Sequence, residues 1–512
     1  MSKQYVIGID IGTSGCKTLI IDQEGHVVRR AVEEYPLFTP RPGWSEQEPE
    51  HWWQAVLSTL KRVIDGFQPV KDIKGIGLSG QMHGLVALDK DDRVLRPSIL
   101  WNDQRTGDQC RKIHDLAGGI EGLLILTNNQ MLPGYTGGKI LWLRENEPDN
   151  YEKTRRILNP KDYIRYRLTG EYATEVSDAS GTGLFNVRER QWSYSLLEIL
   201  DISKDLLPAC YESPEISGAL HNKIAADIGL SAGIPVAGGG GDAVVQTTGT
   251  GLVKPGILGT TIGTAGIAAM ALDQCYDNPQ GKLQLFCNNM PNRWHTMGVT
   301  LAAGGSLRWV RDMLGGSENE VARWLGKDVY ELYTDEAALA EPGCEGLLFL
   351  PYLIGERCPH PDPKARGGFI GLTLRHDRRS ILRSVLEGAV FSLKDVARLI
   401  EEMGTKVSQI RTSGGGALSD LWRQIHADVF NNEVITVSGS AEGGAYGAAL
   451  VAGSGVGVWN NVEEAVQVIK TEKRTLPDEK SVEVYEKLYP IYSELYNHLK
   501  TTFDKLADIY AQ

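Results

Sequence analysis

Asp10-Ile11-Gly12-Thr13-Ser14-Gly15-Cys16-Lys17 sets a carboxylate, two hydroxyls and a lysine around a glycine turn. A turn without bulky side chains can aim several backbone N–H groups at one anion, while Thr13 and Ser14 add hydroxyl donors and Lys17 adds charge. The chemistry this suits is the cradling of a phosphate. Asp10, at the end of an apolar run, is the kind of group that holds a hydrated Mg2+, which commonly keeps several waters and takes one or two carboxylates. The segment has neither the GKS/T ending of a Walker A loop nor the GxGxxG spacing, and by itself it reads equally as a hairpin turn. Three further loops share its character. Pro235-Val236-Ala237 opens into Gly238-Gly239-Gly240-Gly241-Asp242, where small residues let the chain pass close to a substrate and a carboxylate stands at the exit. A flexible linker would explain the glycines but not the strand-like run before them. Gly263-Thr264-Ala265-Gly266 and Ser413-Gly414-Gly415-Gly416-Ala417-Leu418-Ser419 complete the set. The latter opens a helix, where a nucleotide can lie against N-terminal amides or where Ser419 simply caps the helix. Four such loops in one chain are harder to explain as punctuation than any one of them.

The elements that must carry these loops follow from the apolar pattern. Tyr5 to Asp10 and Thr18 to Asp22 read as two strands around the first turn, with a third at Val27-Val28. Trp52, Val56, Leu60 and Val63 share one face of a helix expected over 48–64. Ile73 to Leu78 reads as a strand entering Ser79-Gly80-Gln81-Met82-His83-Gly84. The pattern recurs late in the chain, with strand character over 256–270, helices over 379–403 and 418–430, and a strand over 407–412. Two halves that each open with a hairpin around a Gly/Thr turn suggest a duplicated α/β architecture with a joint near Gly238 to Asp242. A length of 512 residues suits two large lobes, and 42% hydrophobic residues suffice for a sizeable core. The net charge of -12 argues against nucleic-acid binding. Seven scattered cysteines without a CxxC pair fit reduced thiols in a cytoplasmic protein, and the apolar runs are too short to expect a membrane span.

The order of these motifs resembles the FGGY carbohydrate kinases. Ser79-Gly80-Gln81-Met82-His83-Gly84 and Leu100-Trp101-Asn102-Asp103 are similar to the members that phosphorylate D-xylulose. Further family-like segments are Gly43 to Gln47, Gly134 to Trp142, Asn159 to Tyr163, Phe349 to Arg357 and Gly368 to Leu372, so the likeness runs from about residue 5 to about 455. The resemblance implies an α/β fold of two ribonuclease H-like (actin-like ATPase) lobes with an interdomain cleft. The sugar-binding lobe is expected over 1–247 and the ATP-binding lobe over 248–512. It implies Asp242 as general base and Asp10 as the carboxylate on the Mg2+ side. Met82, His83 and Trp101, with Asp242, would contact the sugar. Thr13, Ser14 and Lys17 would meet the phosphates, with Thr264 facing them, and Gly415, Gly416 and Ser419 would lie along the adenosine. The partners expected are a small-molecule sugar and MgATP, with a homodimer as the assembly common in such kinases. Ala243 departs from the pattern, because an amide side chain commonly follows the catalytic aspartate and can touch the sugar. Another ketose or polyol, such as ribulose, L-xylulose or glycerol, therefore stays open as substrate. A nucleotide-gated binding protein of the actin or Hsp70 kind is the reading from another class. Taken alone, His83 reads as a core histidine, Met82 as core filler, and Trp52, Trp53, Trp142, Trp192, Trp294, Trp309 and Trp422 as packing residues.

Overall fold

The opening apolar runs are buried on both faces of a sheet, which is why they lack the polar alternation of a half-exposed strand. The computed structural model describes residues 3–510. The strands β1 (Tyr5–Ile11), β2 (Gly15–Asp22) and β3 (Val27–Glu34) form an antiparallel meander. β4 (Ile73–Gly80) pairs parallel to β1. The sheet is completed by β5 (Ile216–Ala219), β6 (Pro235–Ala237) and β7 (Gly240–Gly241), in the order β5-β6-β4-β1-β2-β3 with β7 also on β4. On one face the helix Pro49–Ile64 contributes Trp52, Val56 and Leu60 to a core shared with Ile7 and Ile9. On the other face, Val6, Leu19 and Ile21 pack against Ala445, Tyr446 and Ala449 of the helix Gly443–Gly455.

That second helix lies directly on the strand backbones. A β-carbon on Gly8 would stand 1.9 Å from the Ala445 carbonyl oxygen, and one on Gly77 would stand 1.9 Å from that of Ala448. Any side chain at either position would lever the helix off the sheet.

The chain separates into two compact units. The first runs from the start of the described chain to Lys254 and includes Ala271–His295 and Glu442–Lys470; the second comprises Pro255–Met270, Thr296–Ala441 and the chain from Thr471 onward. The second unit repeats the scheme of the first. Its strands are β8 (Ile257–Ile262), β9 (Gly266–Leu272), β10 (Trp294–Thr300), β11 (Gln409–Ser413), β12 (Val434–Val437) and β13 (Thr471–Thr475), running β10-β9-β8-β11-β12-β13. β8 is antiparallel to β9 and parallel to β11, as β1 is to β2 and β4. The helices expected over 379–403 and 418–430 form as Arg378–Glu402 and Asp420–Phe430. No helix among the described residues is long and apolar enough to cross a membrane.

The glycine run differs from the expected joint. Gly240 and Gly241 pair with Ser79 and Gly80, and the chain leaves the first unit only after Lys254. The run is a buried strand end whose small residues let it lie close to β4. A β-carbon on Gly239 would stand 2.0 Å from the Leu78 carbonyl oxygen.

Candidate active site

The carboxyl ends of β1, β4 and β7 bring Asp10, Ser79 and Asp242 into one region of the first unit. Asp10 sits in register with Ser79 on β4 and Lys17 on β2, and accepts a 2.6 Å hydrogen bond from the Ser79 hydroxyl. Burial raises its pKa, while Ser79 and the Lys17 charge oppose that rise. Asp242 begins the helix Asp242–Gly249 and accepts from the Ala243 amide at 2.7 Å. Burial, then the negative charge of Asp10, push Asp242 up to about 7, against hydrogen bonds from the Ala243 and Met82 backbones. A carboxylate poised near neutrality is suited to proton transfer. Lys17 is a half-exposed neighbour of Glu442, 3.6 Å from its carboxylate. Ser14 is exposed at the tip of the turn, which closes through a 3.0 Å bond from the Gly12 amide to the Gly15 carbonyl.

Asp242 is held by a network around the glycine run. Gly238 and Gly239 donate to the Glu215 and Ser213 carbonyls at 2.7 and 2.9 Å, and Gly241 donates to the Ser177 hydroxyl at 3.0 Å. Arg165 donates to the Ala237 carbonyl at 2.9 Å and to the Gly238 carbonyl at 2.5 Å. Asn289 bonds the Ser213 hydroxyl at 3.0 Å. These groups fix the loop that aims the carboxylate.

The residues expected at the sugar behave individually. Met82 is 2% exposed, its side chain lying where β-carbons on Gly241 and Gly181 would fall, and its amide bonds Asp242. His83 adopts a left-handed backbone, φ 71°, stacks on Tyr135 at 4.6 Å and hydrogen-bonds the Gly181 carbonyl through Nδ1. Its own carbonyl accepts from Lys139 at 2.7 Å and from Thr136 at 3.1 Å. Lys139 is fully buried, and that burial pushes its ammonium down to about 7. Trp101 is 43% exposed, and its indole donates to the Thr13 hydroxyl at 2.9 Å. Lys139, Arg165, Asn289, Gln47 and Gln81 carried no assigned role in the sequence. Lys139 and Arg165 lie within the helices Thr136–Asn146 and Pro160–Thr169, and the groups they bond at His83, Ala237 and Gly238 are more than 50 positions away, so the sequence carried no local signal for them.

In the second unit, Thr264, Gly415, Gly416 and Ser419 line one cavity of about 410 Å³, with Arg308, Tyr330 and Trp422 among its other walls. The turn at Gly263 and Thr264 is held by amides of the next helix: Gly304 donates to the Gly263 carbonyl at 2.9 Å, and Gly305 to the Thr264 carbonyl at 3.0 Å. The Ser419 hydroxyl caps the helix Asp420–Phe430 by accepting from the Trp422 amide at 3.3 Å. A β-carbon on Gly415 would meet nothing within 4 Å, so the cavity opens at this point.

Family models described as the N-terminal and C-terminal domains of the FGGY family of carbohydrate kinases match residues 5–249 and 258–456. The chain is 39% identical to the xylulose kinase of Bacillus subtilis (strain 168), over 97% of each chain. It is 37% identical to the xylulose kinase of Escherichia coli (strain K12), covering 96% of this chain and 99% of that one. Its structure superposes on that of ligand-bound xylulose kinase from Lactobacillus acidophilus with a TM-score of 0.90 at 28% identity, over 98% of this chain and 100% of the other. With an actin-like ATPase fold, the chain belongs to the FGGY family of carbohydrate kinases.

Proposed function

We propose that this kinase transfers the γ-phosphoryl group of ATP to D-xylulose, giving D-xylulose 5-phosphate and ADP. The observation that carries the reading is Asp242, a carboxylate raised to about 7 beside Asp10 where three strands end. An alcohol is a poor nucleophile. Asp242 accepts the proton of the sugar's primary hydroxyl as its oxygen bonds to the γ-phosphorus and the bond to the bridging oxygen of ADP breaks. The sugar-binding domain is assigned to 1–247, with Met82, His83 and Trp101 at the sugar. The ATP-binding domain is assigned to 248–512, with Gly415, Gly416 and Ser419 along the adenosine. Phosphate contacts are assigned to the turn at Thr13 and Ser14, to Lys17 and to Thr264.

Mg2+ suits the oxygen donors at Asp10, because a hard dication prefers carboxylates and hydroxyls and would offset the burial that raises Asp10 and the Asp10 charge that adds to the rise at Asp242. When bound, it neutralises charge on the phosphoryl oxygens. The group of three close ligand side chains formed by buried Asp22 and exposed Glu24 and His26 is a poorer candidate. There Asp22 already accepts from the Glu24 and His26 amides at 3.1 and 2.9 Å and from Lys3. A homodimer working in the cytoplasm completes the proposal, in keeping with seven cysteines that form no disulfide among the described residues.

Coupled ADP release over pentuloses, hexuloses and polyols tests the substrate. D-xylulose should give the highest kcat/KM. A tenfold preference for ribulose, L-xylulose, glycerol or another acceptor overturns the assignment and points to Ala243, whose methyl group offers the sugar no hydrogen bond.

A further inference from the structure

Four buried or half-buried side chains around the first turn form a chain of hydrogen bonds whose direction is dictated by donor and acceptor type. The Trp52 indole, a donor only, gives its proton to Gln47 Oε1 at 3.0 Å. Gln47 therefore turns its Nε2 to the carbonyls of Thr13 at 2.7 Å and Pro36 at 3.3 Å. Gln81 also faces Gln47 Oε1, at 2.8 Å, so it must present its Nε2 there and its Oε1 to Thr13. The Thr13 hydroxyl has one proton, and Gln81 Oε1 at 3.3 Å takes it. The lone pairs that remain accept the indole N–H of Trp101 at 2.9 Å, again a group that can only donate. Every amide orientation is fixed by a neighbour with no choice of role. Trp52, Gln47 and Gln81 are all 0% exposed, whereas Trp101 is 43% exposed.

The backbone supports the same relation. Glu46 and Gln47 pair with Ile99 and Ser98, and the Leu100 amide donates to the Ser45 carbonyl at 3.0 Å. The strand that delivers Gln47 to the turn thus also holds the residues that lead into Trp101.

We propose that Gln47 and Gln81 are positioning residues for the sugar wall at Trp101, acting through the Thr13 hydroxyl. The inference rests on the reading of Trp101 as a wall of the sugar pocket.

Calorimetric titration of D-xylulose into the full-length protein without nucleotide separates the cases. Thr13→Val keeps the branched shape and removes the hydroxyl, and Gln81→Met removes the acceptor behind it. Each should weaken D-xylulose binding about three- to tenfold, the usual size for one lost hydrogen bond. Thr13→Ser, which keeps the hydroxyl, should restore it. Unchanged sugar binding in Thr13→Val would overturn the proposal. Trp101→Ala distinguishes the underlying reading: if it binds D-xylulose normally, the wall and the proposal fall together. If it binds poorly while Thr13→Val and Gln81→Met bind normally, only the relay falls. Thr13 lies in a half-buried turn, so Thr13→Val decides the matter even where Gln81→Met lowers the melting temperature.

Discussion

The two sheets present the same pair of strand ends with different chemistry on them. In the first unit Asp10 on β1 stands opposite Ser79 on β4 and Lys17 on β2. In the second, Thr261 on β8 stands opposite Ser413 on β11 and Ile267 on β9. A carboxylate held by a hydroxyl at 2.6 Å in one half becomes a hydroxyl held by a hydroxyl at 2.8 Å in the other. The cross-strand lysine becomes isoleucine. Two residues beyond Ser79 stands Gln81, which is fully buried in its hydrogen-bond chain, whereas two residues beyond Ser413 stands Gly415, beside which space is open. The same backbone therefore gives a charged, filled end suited to proton transfer and an uncharged, hollow end suited to holding a flat ligand. On the proposed reading, function is divided between the halves by side-chain choice at a few corresponding positions.

The comparison can be broken most severely at Asp242. Asp242→Asn should lower kcat by about a hundredfold or more, the scale of general-base loss, with MgATP binding unchanged. A near-normal kcat would mean that the charged end contributes position alone. Asp10→Asn sharpens the comparison by giving the first half an uncharged strand end. It should weaken the response to Mg2+ and alter the pH profile. In the unmodified enzyme, kcat/KM for sugar should fall as pH drops below about 7, because protonated Asp242 cannot accept a proton. Removing the Asp10 charge favours ionised Asp242, so this acid limb should move down by about one pH unit. An unmoved limb would assign it to another group.

Gly415→Gln carries the filled end into the second half. Space beside Gly415 should let the protein fold with an unchanged melting temperature. The KM for ATP should nonetheless rise about tenfold, as expected for overfilling a cavity, while the sugar KM stays constant. A normal KM for ATP would place the adenosine elsewhere. The smallest effect is expected for Thr261→Val, which leaves the Ser413 hydroxyl without its 2.8 Å partner. Thermal denaturation should show a loss of about 1 kcal/mol with unaltered kinetics. A kinetic defect there would show that the second pair of strand ends has a role in the reaction.

The strands of both hairpins and the helix over Pro49–Ile64 were legible because each buries a regular apolar pattern next to its turn. Asp10 and Asp242 could be singled out because each ends a strand beside glycines. The groups that aim them could not. Arg165 reaches Gly238 across 73 positions and Asn289 reaches Ser177 across 112, so nothing local marks either as part of a site. Four consecutive glycines suggested a joint, since their need for close packing against Leu78 and Asn289 exists only in the folded chain. The helix Gly443–Gly455 was equally hidden. It is apolar nearly all round, so it carries no amphipathic stripe to say which sheet it covers.

That helix sets the order in which the protein can be completed. Strands β1 and β4 leave the ribosome early, yet one of their faces is covered by residues made more than 360 positions after β4 ends. Until those residues emerge, Val6, Leu19, Ile21 and the bare backbone at Gly8 and Gly77 form an uncovered apolar surface on a nascent chain. Contacts of such sequence separation slow folding and prolong exposure to aggregation. A chain that stops short of Gly443 would retain its candidate base and turn but lack the layer that closes the sheet beneath them, so a prematurely terminated product should be recovered in the insoluble fraction.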